Sequence, residues 1–476
     1  MKNYISPDVL SKLDLRLQDF FAQGRTPGLV YGLAVRGELF HWKAIGEATI
    51  GKEACTRTTS FRVASLTKSF TAMAILKLRD RGLINLDAPF VTYIPDLYPQ
   101  QIEVFEVTVR HLLTMSAGFP TDNEWADRVE SISDAEFLEL MNSGFRFDSR
   151  PGTRFEYSNL GYALLARIIS NISKMSYVEY VTQEIFFALG LRKTTFDFTE
   201  SREIATGYVK LDQWVEEPHQ GPGAFSSIGG VITTLDDLVA WSHYLSSAFN
   251  PAEPELGPLK KSSRREMQNI SQSGPVARGS KKPSEYKGPH GYGFGLRVEE
   301  NFELGKIAGH TGGYPGFGSH MAWHCESGVS IFALANGRYT DPVEATLPAL
   351  REVLATLPRK ELSITPELEF IRSKVIEIIS AWDEATTNAY FAVNMDLDYP
   401  REFRTNQISK ALIETGALSG KYELLESFNN SHLKWLQHGE KMSLQIEIWL
   451  APLAPLQLQV LKVSAVDLFH AGLNEG

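Results

Sequence analysis

The sequence predicts an α+β protein: one antiparallel sheet flanked by helices, an all-helical lobe beside it, and a small α+β domain at the C-terminus. Three observations predict this. An alternating apolar run near the N-terminus and a set of strand-like runs from 292 to 336 flank a long helical stretch, so a single sheet is completed from both chain ends. The intervening segment, 108–245, carries its apolar residues at helical spacing. Beyond Leu357-Pro358-Arg359-Lys360 and Pro366 enough chain remains for a domain of its own. The expected domains are 1–358 and 359–476.

Each element follows from local pattern. Ser6 before Pro7 and Asp8 is a helix-start signature, and Val9, Leu10, Leu13, Leu15 and Leu17 carry a first helix to about Gln23. Gly28 to Ile45 alternates around Gly37-Glu38 and reads as a hairpin. A helix from Ser65 to about Arg81 is apolar on most sides (Phe70, Met73, Ala74, Ile75, Leu76, Leu78), which predicts a buried central position. Gly82 is placed to end it. Helices are expected over Val109–Met115, Asp134–Asn142, Asn159–Ser173, Tyr177–Leu189 and Thr234–Ser246. The Pro/Ser/Lys-rich stretch from Asn250 to Gly291 reads as a mobile surface loop with one helical turn around Arg264–Asn269. Strands follow at Tyr292–Val298, Gly305–His310, Gly318–Cys325 and Gly328–Asn336, then a helix from Pro342 to Ala355. The C-terminal domain opens with a helix (Phe370, Ile371, Val375, Ile378, Ile379, Trp382). It ends in strand-like runs at Gly420–Leu425, His432–Gln437, Lys441–Leu450 and Leu456–Val463.

Composition narrows the function classes. Of 476 residues, 43% are hydrophobic and 22% charged, an ordinary globular balance. A formal net charge of −10 argues against nucleic acid or an anionic membrane surface as the main partner. Cys55 and Cys325 are the two cysteines, so neither a disulfide framework nor a zinc pattern is expected. The start, Met1-Lys2-Asn3-Tyr4-Ile5-Ser6-Pro7, lacks the basic-then-apolar run of a leader, and no apolar run is long enough to span a bilayer. The expectation is a cytoplasmic protein, although a secreted chain trimmed of its leader would read the same. Gly291, Gly293 and Gly295 form no dinucleotide fingerprint, since no βαβ unit surrounds them. His320 and His324 with Glu326 suggest a metal, but residues four apart on a strand lie ~13 Å apart, too far to share one ion. No cofactor or metal is expected. Lys260-Lys261 with Arg264-Arg265 reads as a solvated face.

Three short motifs carry chemistry. Ser65-Leu66-Thr67-Lys68 puts a hydroxyl and an amine three residues apart at a helix start. Residues so spaced share a face, so Lys68 can reach Ser65 Oγ and take its proton. Taken alone the pair reads more simply as a capping serine and a snorkelling lysine. Tyr157-Ser158-Asn159 follows the turn Pro151-Gly152 and precedes a helix, so Tyr157 and Asn159 can project together into a site. There the phenol can relay a proton, and the amide can hold both Lys68 and a substrate carbonyl. Asn159 alone would most simply cap the helix behind it. His310-Thr311-Gly312-Gly313 ends a strand and opens a glycine-rich turn, where a backbone N–H can donate to an oxyanion.

In this order the three motifs resemble those of the penicillin-recognising serine hydrolases. The best match is the branch holding class C β-lactamases, D-Ala-D-Ala carboxypeptidases, D-aminopeptidases and family VIII esterases. Flanking residues agree: Phe61-Arg62-Val63-Ala64, Val109-Arg110-His111-Leu112-Leu113-Thr114-Met115-Ser116-Ala117-Gly118, and Gly229-Gly230-Val231-Ile232-Thr233-Thr234-Leu235-Asp236-Asp237-Leu238. The likeness covers roughly residues 10–355 and implies a β-lactamase-like sheet. It further implies Ser65 as the acylated nucleophile and Lys68 as its proton acceptor, alone or with Tyr157. Tyr157 would protonate the leaving group and then activate water. Asn159 would orient the site, and His310, Thr311, Gly312 and Gly313 would bind substrate. The N–H groups of Ser65 and Gly313 would form the oxyanion hole.

One position departs from the pattern. His310 stands where a lysine is common, and a histidine is only partly charged near neutrality. A dedicated β-lactamase is therefore discounted, and substrates with a free carboxylate are expected to bind better as pH falls through the His310 titration. The implied activity is hydrolysis, through an acyl-enzyme, of small amides, peptides (D-amino-acid-containing ones first) or esters. The alternatives are a β-lactamase or D-Ala-D-Ala carboxypeptidase, or a retired scaffold or binding module. Intact Ser65, Lys68 and Tyr157 speak against the retired form. The expected partner is a small molecule or short peptide, with a homo-oligomer left open. The C-terminal domain is either a sheet wrapped on a helix or a half-barrel such as some relatives carry.

Overall fold

Alternation along the strand Gly28–Val35 decides the architecture. Leu29, Tyr31, Leu33 and Val35 face one apolar core, while Val30 and Ala34 face another. A strand buried along its whole length has to be covered on both sides. In a computed structural model, which describes residues 4–199, 203–274, 287–358 and 364–467, this strand lies inside a nine-stranded sheet. Beside it stand Glu38–Thr49 and then Glu53–Ala54 on one side. On the other are Val329–Ala335, Phe317–His324, Gly305–Tyr314, Arg297–Asn301, His290–Tyr292 and Gln272–Ser273 in turn. Gly28–Val35 pairs antiparallel with Val329–Ala335, Leu29 opposite Ala335, so the sheet is completed from both ends of its unit. The fold is α+β, as the sequence predicts.

The chain divides into two compact units, Met1–Leu357 and Pro358–Gly476. In the first, Leu13, Leu17 and Phe20 of the helix Pro7–Ala22 join Ala349, Leu350 and Val353 of Val343–Ala355 to cover one sheet face. The other face carries the lobe around Thr67–Asp80, a helix buried from Thr67 through Leu78. Phe70 stacks on Trp241 there, with ring centroids 4.0 Å apart. Gly82, at φ +76°, ends this helix, and the Leu83 N–H closes onto the Leu78 carbonyl at 3.0 Å.

Several expectations are corrected. The predicted strand Tyr292–Val298 is two arms of a hairpin, because Gly295 turns at φ +68° with the Lys68 carbonyl 2.5 Å from where a Cβ would project. The His310-Thr311-Gly312-Gly313 run does not open a turn. The strand continues to Tyr314, with His310 opposite Met321 and Gly313 opposite Gly318, and the chain reverses at Gly316. Between 250 and 291 the described chain holds a helix, Lys261–Met267, and the edge strand Gln272–Ser273; residues 275–286 of the expected loop lie outside the described residues. Arg264 belongs to no solvated face. It is 1% exposed, bonded to the Tyr244 carbonyl and the Ser247 hydroxyl, and stacked 4.2 Å above the Tyr244 ring.

In the second unit, Pro366–Ser380 is followed by three helices that the sequence reading omitted: Glu384–Tyr390, Val393–Asp398 and Arg401–Thr415. A four-stranded antiparallel meander completes it, in the order Leu418–Glu426, His432–Gly439, Ser443–Leu450, Leu458–Val466. Leu444, Ile446, Ile448 and Leu450 alternate onto a core shared with Ile371, Val375 and Ile378, so the sheet is covered by helix. No helix among the described residues is long and apolar enough to cross a membrane.

Candidate active site

Ser65 sits on a strained turn. Phe61–Arg62 pairs with Ile232–Thr233, the Val63 N–H donates to the Val231 carbonyl at 2.9 Å, and Ala64 then takes φ +50°. A non-glycine residue holds that conformation only when its surroundings impose it. Here the surroundings are Gly312, where a Cβ would lie 2.4 Å from the Val63 carbonyl oxygen, and Ser319 Oγ, which donates to that oxygen at 2.8 Å. Arg62 anchors the other side. It pairs with Glu130 at 2.6 Å, both side chains 1% exposed, and lies 4.4 Å from the centre of the Tyr314 ring.

The helix predicted from Ser65 begins instead as a 3₁₀ turn, Ala64–Leu66, with α-helix from Thr67. In 3₁₀ geometry residues three apart eclipse, and the buried Lys68 Nζ donates to Ser65 Oγ at 2.9 Å. Its second acceptor is the Ile228 carbonyl at 2.8 Å. The rings of Tyr157 and Tyr162 lie 5.2 and 5.8 Å from Nζ.

Tyr157-Ser158-Asn159 is held by a residue the sequence reading did not single out. Ser158, not Asn159, is the N-cap of Asn159–Ser173. The Asp122 carboxylate accepts the N–H groups of Asn159 at 2.7 Å and Leu160 at 2.8 Å. Burial raises the Asp122 carboxyl, and those two donors and the charge of Lys68 oppose the rise. The Asn159 amide donates to Asn123 Oδ1 at 2.9 Å, and Lys68 Nζ bonds Ser65 Oγ and the Ile228 carbonyl in place of the expected Asn159.

His310 is also placed differently from expectation. It is 1% exposed. Its Nε2 accepts from the Tyr292 hydroxyl at 2.9 Å, leaving Nδ1–H to donate to the Thr311 carbonyl at 2.6 Å. Burial, reinforced by the charges of Arg297 and Lys68, holds the imidazole neutral, well below its ordinary range. A buried neutral ring cannot attract a carboxylate by charge, so His310 does not supply the expected pH-dependent recognition. Gly312 likewise packs against Val63 and Ala64 instead of facing substrate.

A cavity of about 660 Å³ opens over this array, lined by Ser65, Tyr157, Thr311 and Gly313, with Asn123, Arg154, Glu156, Arg297 and Tyr339 around them. Arg297 was passed over in the sequence as part of a strand. Its guanidinium sits 6.0 Å from the centre of the Tyr157 ring, and its Nε is buried without a hydrogen-bond partner. A planar fork of donors so placed suits a carboxylate. For metals the described residues offer no cluster of three or more candidate ligands. His320 instead meets Thr346 Oγ1 at 2.6 Å, and His324 meets Ser327 Oγ at 2.8 Å.

The antiparallel sheet with its flanking helices agrees with the comparisons. Residues 13–355 match the family model described as Beta-lactamase, and the chain belongs to that family. It is 26% identical over 345 residues to Protein flp of Staphylococcus aureus strain MW2, a match spanning 70% of this chain but 64% of that protein, less than two thirds of its length. It is also 26% identical over 350 residues to penicillin-binding protein 4* of Bacillus subtilis strain 168, covering 68% of this chain and 71% of that one. Among solved structures, the octameric penicillin-binding protein homologue from Pyrococcus abyssi superposes with a TM-score of 0.59 at 20% identity, over 95% of this chain and 100% of that chain. At that identity it bears on the fold alone.

Proposed function

We propose that the protein is a serine hydrolase working through an acyl-enzyme on small amides, peptides, including D-amino-acid-containing ones, or esters. The observation that carries this reading is the 2.9 Å contact between Lys68 Nζ and Ser65 Oγ, with Ser65 opening on the cavity. In acylation Ser65 Oγ attacks the substrate carbonyl carbon while its proton passes to Lys68, alone or with Tyr157. The Ser65 and Gly313 N–H groups receive the developing oxyanion. The bond to the leaving group then breaks as Tyr157 supplies that group's proton. In deacylation water attacks the ester carbonyl and gives its proton to Tyr157, and Ser65 departs with the proton that Lys68 returns. Positioned acid–base groups supply ~10²–10⁴ in rate, and one oxyanion donor is worth ~10²–10³.

Arg297 supports substrates that carry a carboxylate on the side of the cavity facing Tyr157. The test is steady-state hydrolysis of p-nitroanilides of D- and L-alanine, p-nitrophenyl esters, and D-alanyl peptides ending in a free carboxylate. Turnover of any of these that disappears in Ser65→Ala supports the reading. Turnover that survives in Ser65→Ala overturns it, as does none on any substrate together with no penicillin adduct.

A further inference from the structure

Tyr339 lies outside all three motifs, yet it lines the cavity with Ser65 and Gly313. Its backbone stands at φ +48°, a posture costing a bulky residue about 1–3 kcal/mol unless its neighbours impose it. The residue is 37% exposed, so burial does not impose it. Two hydrogen bonds do. The Tyr339 N–H donates to the Tyr314 carbonyl at 3.2 Å, and its hydroxyl donates to Asp127 Oδ2 at 3.0 Å. The backbone carbonyl of Asp127 also accepts the Tyr314 hydroxyl at 3.1 Å. Asp127 thus ties together the two tyrosines that bracket Gly313. Tyr314 follows Gly313 in the chain, and the Tyr339 ring stands 3.1 Å from where a Cβ on Gly313 would project.

Asp127 is an expensive anchor. It is 5% exposed, and among the described residues no cation lies within ion-pair distance of it. Arg128 and Arg338, its nearest candidates in sequence and across the Tyr339 ring, are both engaged by Glu217, at 3.1 and 3.4 Å. Asp122, Glu130 and Lys68 are the other charges that act on it. A buried carboxylate without a counter-ion and a strained tyrosine both cost stability. They coincide on one contact, and that contact ends at the cavity wall beside Gly313.

We propose that Tyr339, held by Asp127, is a positioning and specificity-determining residue: its ring is the wall against which the group attached to the scissile carbonyl packs, and it keeps Gly313 in place beside Ser65. This rests on the acyl-enzyme reading above. A structural tie with no role at the site would move all substrates together. A wall discriminates among acyl groups.

The test measures kcat and KM on p-nitrophenyl esters from acetate to octanoate, with thermal melts, for wild type, Tyr339→Ala, Tyr339→Phe, Asp127→Ala and Asp127→Asn. Tyr339→Ala should raise the octanoate-to-acetate ratio of kcat/KM at least about tenfold by opening the wall. Tyr339→Phe keeps the ring but loses the tie, so kcat should fall about tenfold with KM little changed and the ratio preserved. Asp127→Ala should match it, and Asp127→Asn, which retains an acceptor, should regain most of the loss. An unchanged ratio in Tyr339→Ala overturns the proposal. Should that variant fail to melt cooperatively, wild-type kcat in both Tyr339→Phe and Asp127→Ala overturns it instead. Wild type treated with a fluorophosphonate separates the two layers. No adduct on Ser65 removes the acyl-enzyme reading and this proposal with it, whereas an adduct together with an unchanged ratio in Tyr339→Ala removes this proposal alone.

Discussion

Gly312→Ala probes whether the strand motif and the serine turn form one mechanical unit. Gly312 is not in the left-handed region, so any effect is steric. A methyl there would meet Ser319 Oγ at 2.2 Å, the Val63 carbonyl oxygen at 2.4 Å and Ala64 Cβ at 3.1 Å, whereas real Cβ atoms essentially never come within 3.0 Å of a neighbour. Ser319 can rotate away by giving up its 2.8 Å bond to the Val63 carbonyl, but that carbonyl is backbone and cannot. Relief to ordinary C···O contact, about 3.3 Å, requires strand and turn to part by about 1 Å. Overpacking of this kind costs about 1–3 kcal/mol. A displacement of ~1 Å two residues from the proposed nucleophile costs about 10² in rate. The assay is kcat/KM on a p-nitrophenyl ester beside urea unfolding, with Gly420→Ala, where nothing lies within 4 Å of the added methyl, as the control. The variant should lose about 2 kcal/mol and about a hundredfold in kcat/KM, the control neither. Activity within about threefold of wild type would refute the coupling of strand to turn.

Three further outcomes are expected. Burial pushes the Asp127 carboxyl up to about 7, so between about pH 4 and 7 the folded state holds a proton that the unfolded chain has lost. Stability therefore falls as pH rises through that window. Asp127→Asn removes this pH dependence, and urea titrations should show the variant gaining on wild type by about 4 kcal/mol between about pH 4 and 8; parallel curves would contradict this. Arg62→Met strands Glu130 and should cost about 3–5 kcal/mol, most of it recovered by adding Glu130→Leu. A double variant no more stable than the single one would count against the pair's importance. Arg297→Ala should raise KM for a substrate ending in a free carboxylate over tenfold more than KM for a neutral acetate ester, in line with ~1.5–3 kcal/mol for a charged hydrogen bond. Equal effects on the two would place carboxylate recognition elsewhere.

What the sequence disclosed depended on how local the physics was. The three motifs were legible because three-residue spacing, a loop before a helix and a glycine-rich run are local signals, and the family resemblance joined them. Arg297 was hidden inside an apolar run whose hairpin turn depends on Gly295 abutting the Lys68 carbonyl, a contact between residues far apart in the chain. Asp122 and Asp127 were invisible for the same reason: their partners are 37 and 212 residues away. His310 looked like a charge until its burial and its bond to Tyr292 were known. In the second unit the helix Arg401–Thr415 escaped because its buried positions include Arg404 and Thr415 among only two apolar ones.

The most direct measurement is intact-mass and peptide analysis after exposure to a fluorophosphonate, comparing wild type with Lys68→Ala at matched stability. A single adduct on Ser65 is expected, with a labelling rate at least about a hundredfold lower once the amine is gone. An adduct on another residue, or equal rates in the two proteins, would contradict the claim that Lys68 draws the proton from Ser65.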